Sequence, residues 1–234
     1  KDKNIKIFNY EGSIYSCLNF GITKAKGELI GILHSDDIFF SEDTLYKIAQ
    51  VYKTNKCDII YGDVAYSNKN NLLDIKRTWT NINLENKFDL PPHTGTFIHK
   101  KIYKRFKYNK NFSISGDTDY LINILKNNFH KFYIKNYITI MREGGASTIY
   151  SNFFRKFNED IYIFKKHKLS ILDYFRKIFS KLGQVIFVKE VKISKYHKKI
   201  NEFSNIEFIN LNDLNKYKGK IICALNLAFL SYNY

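Results

Sequence analysis

The sequence predicts an α/β fold: a mostly parallel, mixed sheet flanked by helices, with a basic helical extension beyond it. Three observations predict this. The run "ELIGILH" carries four large apolar residues, Leu29, Ile30, Ile32 and Leu33, without clean alternation, as in a strand covered on both faces. Amphipathic helical stretches stand on either side of it. From about Ile149 to Lys189 the pattern turns helical, basic and aromatic.

The elements follow in order. "SIYSCLNFGITKAKG" puts Ile14, Cys17, Leu18, Gly21, Ile22 and Ala25 on one helical face, with Ser13 as N-cap and Gly27 as stop. After the strand "ELIGILH", "SEDTLYKIAQVYKTN" forms a second helix, capped by Ser41, with acids in its first turn and a stripe of Leu45, Ile48, Ala49 and Tyr52. "CDIIYGDVAYS" reads as a strand, "NKNN" as a turn and "LLDIKRTW" as the partner strand. "PPHTGTFIHKK" is a turn into a short strand. "SISGDTDYLINILKN" is a helix with Ser115 as N-cap and Tyr120, Leu121, Ile124 and Leu125 inward. "FHKFYIKNYITIM" is strand-like, and "REGGAST" a loop. "KYHKKINEFSN" reads as a linker, after which an ordered rhythm resumes. The expected divisions are 1–148, a partial catalytic domain; 149–199, a basic amphipathic helical extension; and 200–234, a linker and the start of a second domain.

A chain of 234 residues, 44% hydrophobic, can bury a sizeable core. Two Pro and 11 Gly argue against a disordered or collagen-like chain. The net charge of +16 points to an anionic partner: nucleic acid, a phosphorylated substrate or an acidic membrane surface. The lysines are spread out and form no recognition motif, which argues against nucleic acid. Cys17, Cys57 and Cys223 lie far apart in apolar patterns, so they read as buried thiols in a reducing compartment. No apolar run reaches the roughly 20 residues a spanning helix needs. "KDKNIKIFNY" reads as the middle of something, so a natural beginning upstream is expected.

The chemistry gathers where the buried strand ends. Asp36 and Asp37 follow it directly, and in open α/β sheets ligands bind beyond the carboxyl ends of strands. Two adjacent carboxylates repel each other, and a divalent cation resolves the conflict. Mg²⁺ and Mn²⁺ take one or two carboxylates and fill the shell with substrate phosphates. Asp37 is the better ligand, while Asp36 holds the neighbouring backbone or reaches a sugar or ribose. Simple capping of the next helix is the plainer alternative. Asp117 and Asp119 lie in the first turn of their helix, where the dipole favours them. The functional alternative is a general base, an ionised carboxylate taking a proton from an attacking hydroxyl. His93 lines a cleft or is structural. Arg142 with Gly144 and Gly145 makes either a lid over a phosphate or a surface turn.

Taken together, these segments resemble an inverting family 2 glycosyltransferase of the GT-A fold, the bacterial sort that builds surface polysaccharides. "GSIYSCLNFGITKAKGELIGILHSDD" resembles the family's helix with Asn-x-Gly, its strand and its acidic metal motif, with Asn19, Gly21, Gly27, Ser35, Asp36 and Asp37 matching. "HTGTFIHKKIYKRF" resembles the acceptor-side strand and short helix, "SISGDTDYLINIL" the segment carrying the base, and "MREGGAST" the loop after it. The likeness runs over roughly residues 5 to 170.

The resemblance implies a GT-A-like, Rossmann-related fold lacking its first βαβ part. It implies Asp117 as catalytic base, Asn19, Ser35 and Asp36 as donor-binding residues, and Asp37 as ligand of Mn²⁺ or Mg²⁺. His93, Asp119, Arg142, Gly144 and Gly145 would serve the acceptor or a lid. The partners implied are a nucleotide-sugar, most simply a UDP-sugar, and a glycan or lipid-linked acceptor. The place is the cytoplasm, on the inner face of the plasma membrane. The sequence departs from the family's pattern at Ser13, Ser16 and Gly116, where Gly, Asp or Arg, and Glu or Ala are usual. "GKIICALNLAF" resembles the start of a family that transfers N-acetylmannosamine to lipid carriers; a strand–helix appendage is the plainer reading.

The Phe, Tyr, Lys and Arg of 149–199 suit an anionic membrane surface as well as they suit core packing. Against a glycosyltransferase stand a nucleotidyltransferase of related fold and a non-catalytic truncated or nucleic-acid-binding module.

Overall fold

The computed structural model describes residues 6, 8–34, 37–85, 89–144, 152–170, 172, 173 and 175. Helix α1, Ile14–Lys24, starts where the Ser13 hydroxyl accepts the Ser16 N–H at 3.4 Å. It ends as the Ala25 N–H returns to the Gly21 and Ile22 carbonyls. Cys17, Leu18, Gly21 and Ile22 face inward as expected. Ile14 is exposed, and Tyr15 turns inward in its place because its hydroxyl finds backbone partners there.

Strand β1 spans Leu29–Gly31 and β2 Ile38–Phe39. Helix α2, Thr44–Asn55, is capped at Asp43 rather than Ser41. The Ser41 hydroxyl is taken by the Asp43 carboxylate, so the helix starts later and the acids precede it instead of filling its first turn. Strands β3, Ile59–Asn68, and β4, Asn71–Trp79, form the expected hairpin. A 3₁₀ turn, His93–Gly95, leads into β5, Thr96–His99, and α3, Lys100–Arg105. Helix α4 is Gly116–Leu125, β6 Lys131–Arg142 and α5 Phe153–Lys166.

The sheet runs β1-β5-β3-β6-β2, with β4 also on β3. The α/β class and the flanking helices agree with expectation, but the pairing is not mostly parallel. Among the described strands only β3 and β6 pair in parallel. Strands β1 and β3 do run the same way around α2, but β5 is inserted antiparallel between them. Along one edge, β3 holds β5 through Ile59–Tyr61 and β4 through Val64–Asn68. Its other edge holds β6, with a register shift at Gly62, where a Cβ would sit 2.6 Å from Ile138.

Alternation along the strands builds a core on each face. Ile59 and Ile98 pair in register and join Ile30, α1, α3 and α4 on one side. Ile60 and Phe97 pair on the other side and join Ile48, Cys57, Ile134 and Ile138. Each fully buried Ile is worth about 1.5–3 kcal/mol. Helix α5 shares the first core through Ile163. Cys17 and Cys57 are buried free thiols, and burial pushes the Cys57 thiol up. Cys223 and the span 200–234 lie outside the described residues, as does all of 176–199. Among the described residues no helix is long and apolar enough to cross a membrane.

Candidate active site

The site lies beyond the carboxyl end of β1, alongside the carboxyl halves of β3 and β6, which run the same way. Beyond β1 the Asp37 N–H donates to the His34 carbonyl at 3.2 Å. Asp37 is only 6% exposed. Ser35 and Asp36 lie outside the described residues.

Asp117 arrives from the first turn of α4, and its carboxylate accepts the Thr118 N–H at 2.8 Å. Tyr66, on β3, lies within electrostatic reach of both acids. Burial pushes its hydroxyl up to about 12; Arg77 works against the rise, and the charges of Asp37 and Asp117 both add to it. The Arg77 guanidinium, from β4, stacks 3.6 Å from the centre of the Tyr66 ring. Two carboxylates from distant parts of the chain thus act on one phenol that also carries a cation on its face.

His93 belongs to the same neighbourhood. Its ring lies 5.8 Å from that of His34, and its Nε2 is 2.7 Å from the Tyr108 hydroxyl. Desolvation pushes its imidazole down to about 4; Asp117 opposes that shift and His34 adds to it. His93 is therefore neutral at pH 7. Tyr108 stacks on Tyr120 at 4.2 Å and on Tyr15 at 5.9 Å, and burial pushes its hydroxyl far up, so it stays protonated.

Arg142 ends β6 in register with Ser67, one step past the Tyr66–Met141 pair, so it falls on the same end of the sheet. Gly144 adopts φ +103°, a left-handed conformation that suits glycine. Gly145 lies outside the described residues.

Two of the expected residues are occupied elsewhere. The Asn19 amide donates to the Tyr108 carbonyl at 2.8 Å and accepts the Tyr108 N–H at 3.0 Å, so it is committed to the scaffold. Asp119 is buried and receives Lys166 Nζ at 2.7 and 2.9 Å and His167 Nε2 at 2.8 Å. Burial alone would raise its pKa, but the His167 and Lys166 hydrogen bonds hold it below the usual carboxylate range. It ties α4 to α5.

The segment before Asp117 is held from two sides. The Tyr15 hydroxyl donates to the Ile114 carbonyl at 2.6 Å and accepts the Gly116 N–H at 2.8 Å. Burial, and then the charge of Asp117, push this hydroxyl up. Glu159, from α5, accepts the N–H groups of Ser113, Ile114 and Ser115 at 2.8, 3.0 and 2.8 Å. The Ser115 side chain makes no cap bond, and the N–H groups at and just before the helix start are satisfied by these two remote groups.

The profile of "Glycosyl transferase family 2" matches residues 2–118. The chain belongs to glycosyl transferase family 2. The match takes in Asp37 and Asp117 and stops before α5. Two solved structures are similar. "Crystal structure of S. aureus TarS" aligns at 14% identity and TM-score 0.44, over 56% of this chain and 24% of that one. "Crystal structure of S. aureus TarS 1-349" aligns at 12% identity and TM-score 0.43, over 88% of this chain and 58% of that one. The family 2 chain described here thus spans between a quarter and three-fifths of those structures. No match was found among curated proteins.

Sequence reasoning missed His34, Tyr66, Arg77, Tyr108, Tyr15 and Glu159. Each acts across a long sequence separation, and no local spacing marks it.

Proposed function

We propose that this family 2 chain transfers a sugar from a nucleotide-sugar, a UDP-sugar in our reading, to a hydroxyl of a glycan or lipid-linked acceptor, with inversion. The observation that carries the reading is the joint action of Asp37 and Asp117 on Tyr66, at the carboxyl end of the sheet. Asp117 takes the proton of the acceptor hydroxyl. The freed oxygen attacks the anomeric carbon from the face opposite the diphosphate. The bond to the diphosphate breaks, and its electron pair leaves with the nucleotide. Alignment of the two reactants supplies much of the acceleration. Neutral His93, its Nε2 held by the buried Tyr108 hydroxyl, offers its other ring nitrogen to a sugar hydroxyl without adding charge.

Asp37 fits a divalent metal ion. Among the described residues no three His, Cys, Asp or Glu side chains gather into a cage. One buried carboxylate, with donor phosphates completing the shell, suits Mn²⁺ or Mg²⁺. Such a cation, held by Asp37, supplies positive charge against the departing diphosphate.

The setting we propose is bacterial surface-polysaccharide synthesis at the cytoplasmic face of the membrane. What supports it is the exposed Phe153, Phe154 and Tyr162 of α5 beside Arg155 and Lys156, a combination that suits an anionic lipid surface.

The test is to incubate the full chain and Mn²⁺ with a panel of UDP-sugars, with and without saccharide acceptors. Release of UDP, faster with acceptor, is expected. Release of a sugar 1-phosphate without UDP, the mark of transfer of the nucleotidyl group, would reveal a nucleotidyltransferase and overturn the proposal.

A further inference from the structure

We infer that Glu159 is a positioning residue that fixes Asp117 for proton transfer, so that α5, outside the family match, is part of the working site. The inference rests on the reading of Asp117 as base.

Backbone donors dictate the geometry. The first N–H groups of a helix have no partner within it. On the approach to α4, the donors of Ser113 and Ile114, of the N-cap Ser115 and of the first helical residue Gly116 are all satisfied from elsewhere. Glu159 takes those of Ser113, Ile114 and Ser115. The Tyr15 hydroxyl takes that of Gly116. The next residue is Asp117. A carboxylate accepting three consecutive N–H groups makes charge-assisted bonds, and its negative charge suits a helix N-terminus. Glu159 sits on a helix whose inner face, Asp160, Ile163 and Phe164, is buried. Two residues after Asp117, Asp119 is gripped by Lys166 and His167 of the same α5 region. Asp117 therefore stands between two anchor points that both lead to α5. A shift of about 1 Å in a reacting group can cost a hundredfold in rate.

The experiment compares three variants of the full chain. Glu159→Gln keeps size and one acceptor oxygen but loses the charge and one acceptor. Lys126→Ala removes a different α4–α5 tie, the ammonium that donates to the His167 carbonyl at 2.7 Å, and serves as the structural control. Asp117→Asn tests the underlying reading.

Two readouts are taken. Hydrogen exchange of the amides at 113–115 is measured with UDP and Mn²⁺ present. UDP release from UDP-glucose and UDP-N-acetylglucosamine is measured with water and with saccharides as acceptor. Glu159→Gln is expected to speed exchange at least tenfold and to lower kcat about 10- to 100-fold, with the KM for donor within threefold of the parent. Lys126→Ala should leave kcat within twofold. In the Asp117→Asn background, Glu159→Gln should lower the residual rate no further, because two residues acting as one unit are not additive. If Glu159→Gln fails to fold, Glu159→Asp, which keeps the charge on a shorter arm, gives the same comparison.

Unchanged exchange at 113–115 overturns the inference whatever the turnover. Full kcat in Glu159→Gln with a dead Asp117→Asn sinks the role of Glu159 and leaves Asp117 as base. Full turnover by Asp117→Asn sinks both.

Discussion

Replacing Tyr15 by Phe removes one oxygen atom and should cost more than its size suggests. The ring is 3% exposed, so water cannot easily take the place of the hydroxyl. That hydroxyl makes two backbone bonds, to the Ile114 carbonyl at 2.6 Å and from the Gly116 N–H at 2.8 Å. A typical bond contributes about 1 kcal/mol net, and a buried group left unsatisfied costs about 1–3 kcal/mol. The Gly116 N–H opens a helix and has no partner within it. Two orphaned groups therefore give an expected loss of about 2–4 kcal/mol, a large part of the roughly 5–15 kcal/mol that holds a domain folded. Urea unfolding followed through the single tryptophan, Trp79 on β4, measures it. The midpoint should fall by about 1 M with the slope unchanged. Tyr52→Phe is the contrast: its hydroxyl bonds the exposed Glu28 carboxylate at 3.1 Å, and loss below about 0.5 kcal/mol is expected for such a surface contact. A Tyr15→Phe loss as small as that of Tyr52→Phe would refute the claim that the hydroxyl clamps the approach to Asp117.

Four further outcomes are expected. Gly116→Ala places a Cβ 2.7 Å from the Tyr15 ring, an overpacking that should cost about 1–3 kcal/mol in the same urea assay. Asp117→Asn should lower transfer by at least about a thousandfold, near the upper part of the range for general-base catalysis, while calorimetry finds UDP affinity within threefold. Asp37→Ala should abolish the Mn²⁺ dependence of UDP binding in the same calorimetry. Between pH 4 and 6.5 the unfolded chain protonates His93 while the folded protein, with that pKa near 4, does not. Stability is therefore lost as pH falls through this window, by up to about 3 kcal/mol from this group, and His93→Asn should flatten that part of the urea midpoint–pH curve.

The parts of this fold that a sequence reveals are those whose cause is local. Ser13 and the apolar positions of α1, the β3–β4 hairpin with its polar turn, and the inward face of α4 are set by residues three or four apart, or by alternation along a strand. The order of the sheet was not legible, because the insertion of β5 between β1 and β3 is a choice of partner, and alternation does not encode partners. The same limit divides the candidate site. Asp37 and Asp117 announced themselves as acids at element ends, whereas Tyr66 and Arg77 looked like ordinary strand residues until the hairpin stacked them. Asn19 misled because a small amide after an apolar stripe carries no mark of its partner, here the Tyr108 backbone.

Glu159 shows where local reading stops. On a helical wheel it is one acid among basic and aromatic neighbours, and surface charge is its natural interpretation. Its meaning comes from three amide groups some 45 positions earlier, which lie at and just before the N-cap of α4 and bond to no acceptor within that helix. That a helix start leaves backbone donors open is general; which carboxylate from another segment fills them is not written in the local sequence. The buried faces of α4 and α5 bring the two segments together, and the same packing that stabilises the core then determines where the carboxylate of Asp117 points.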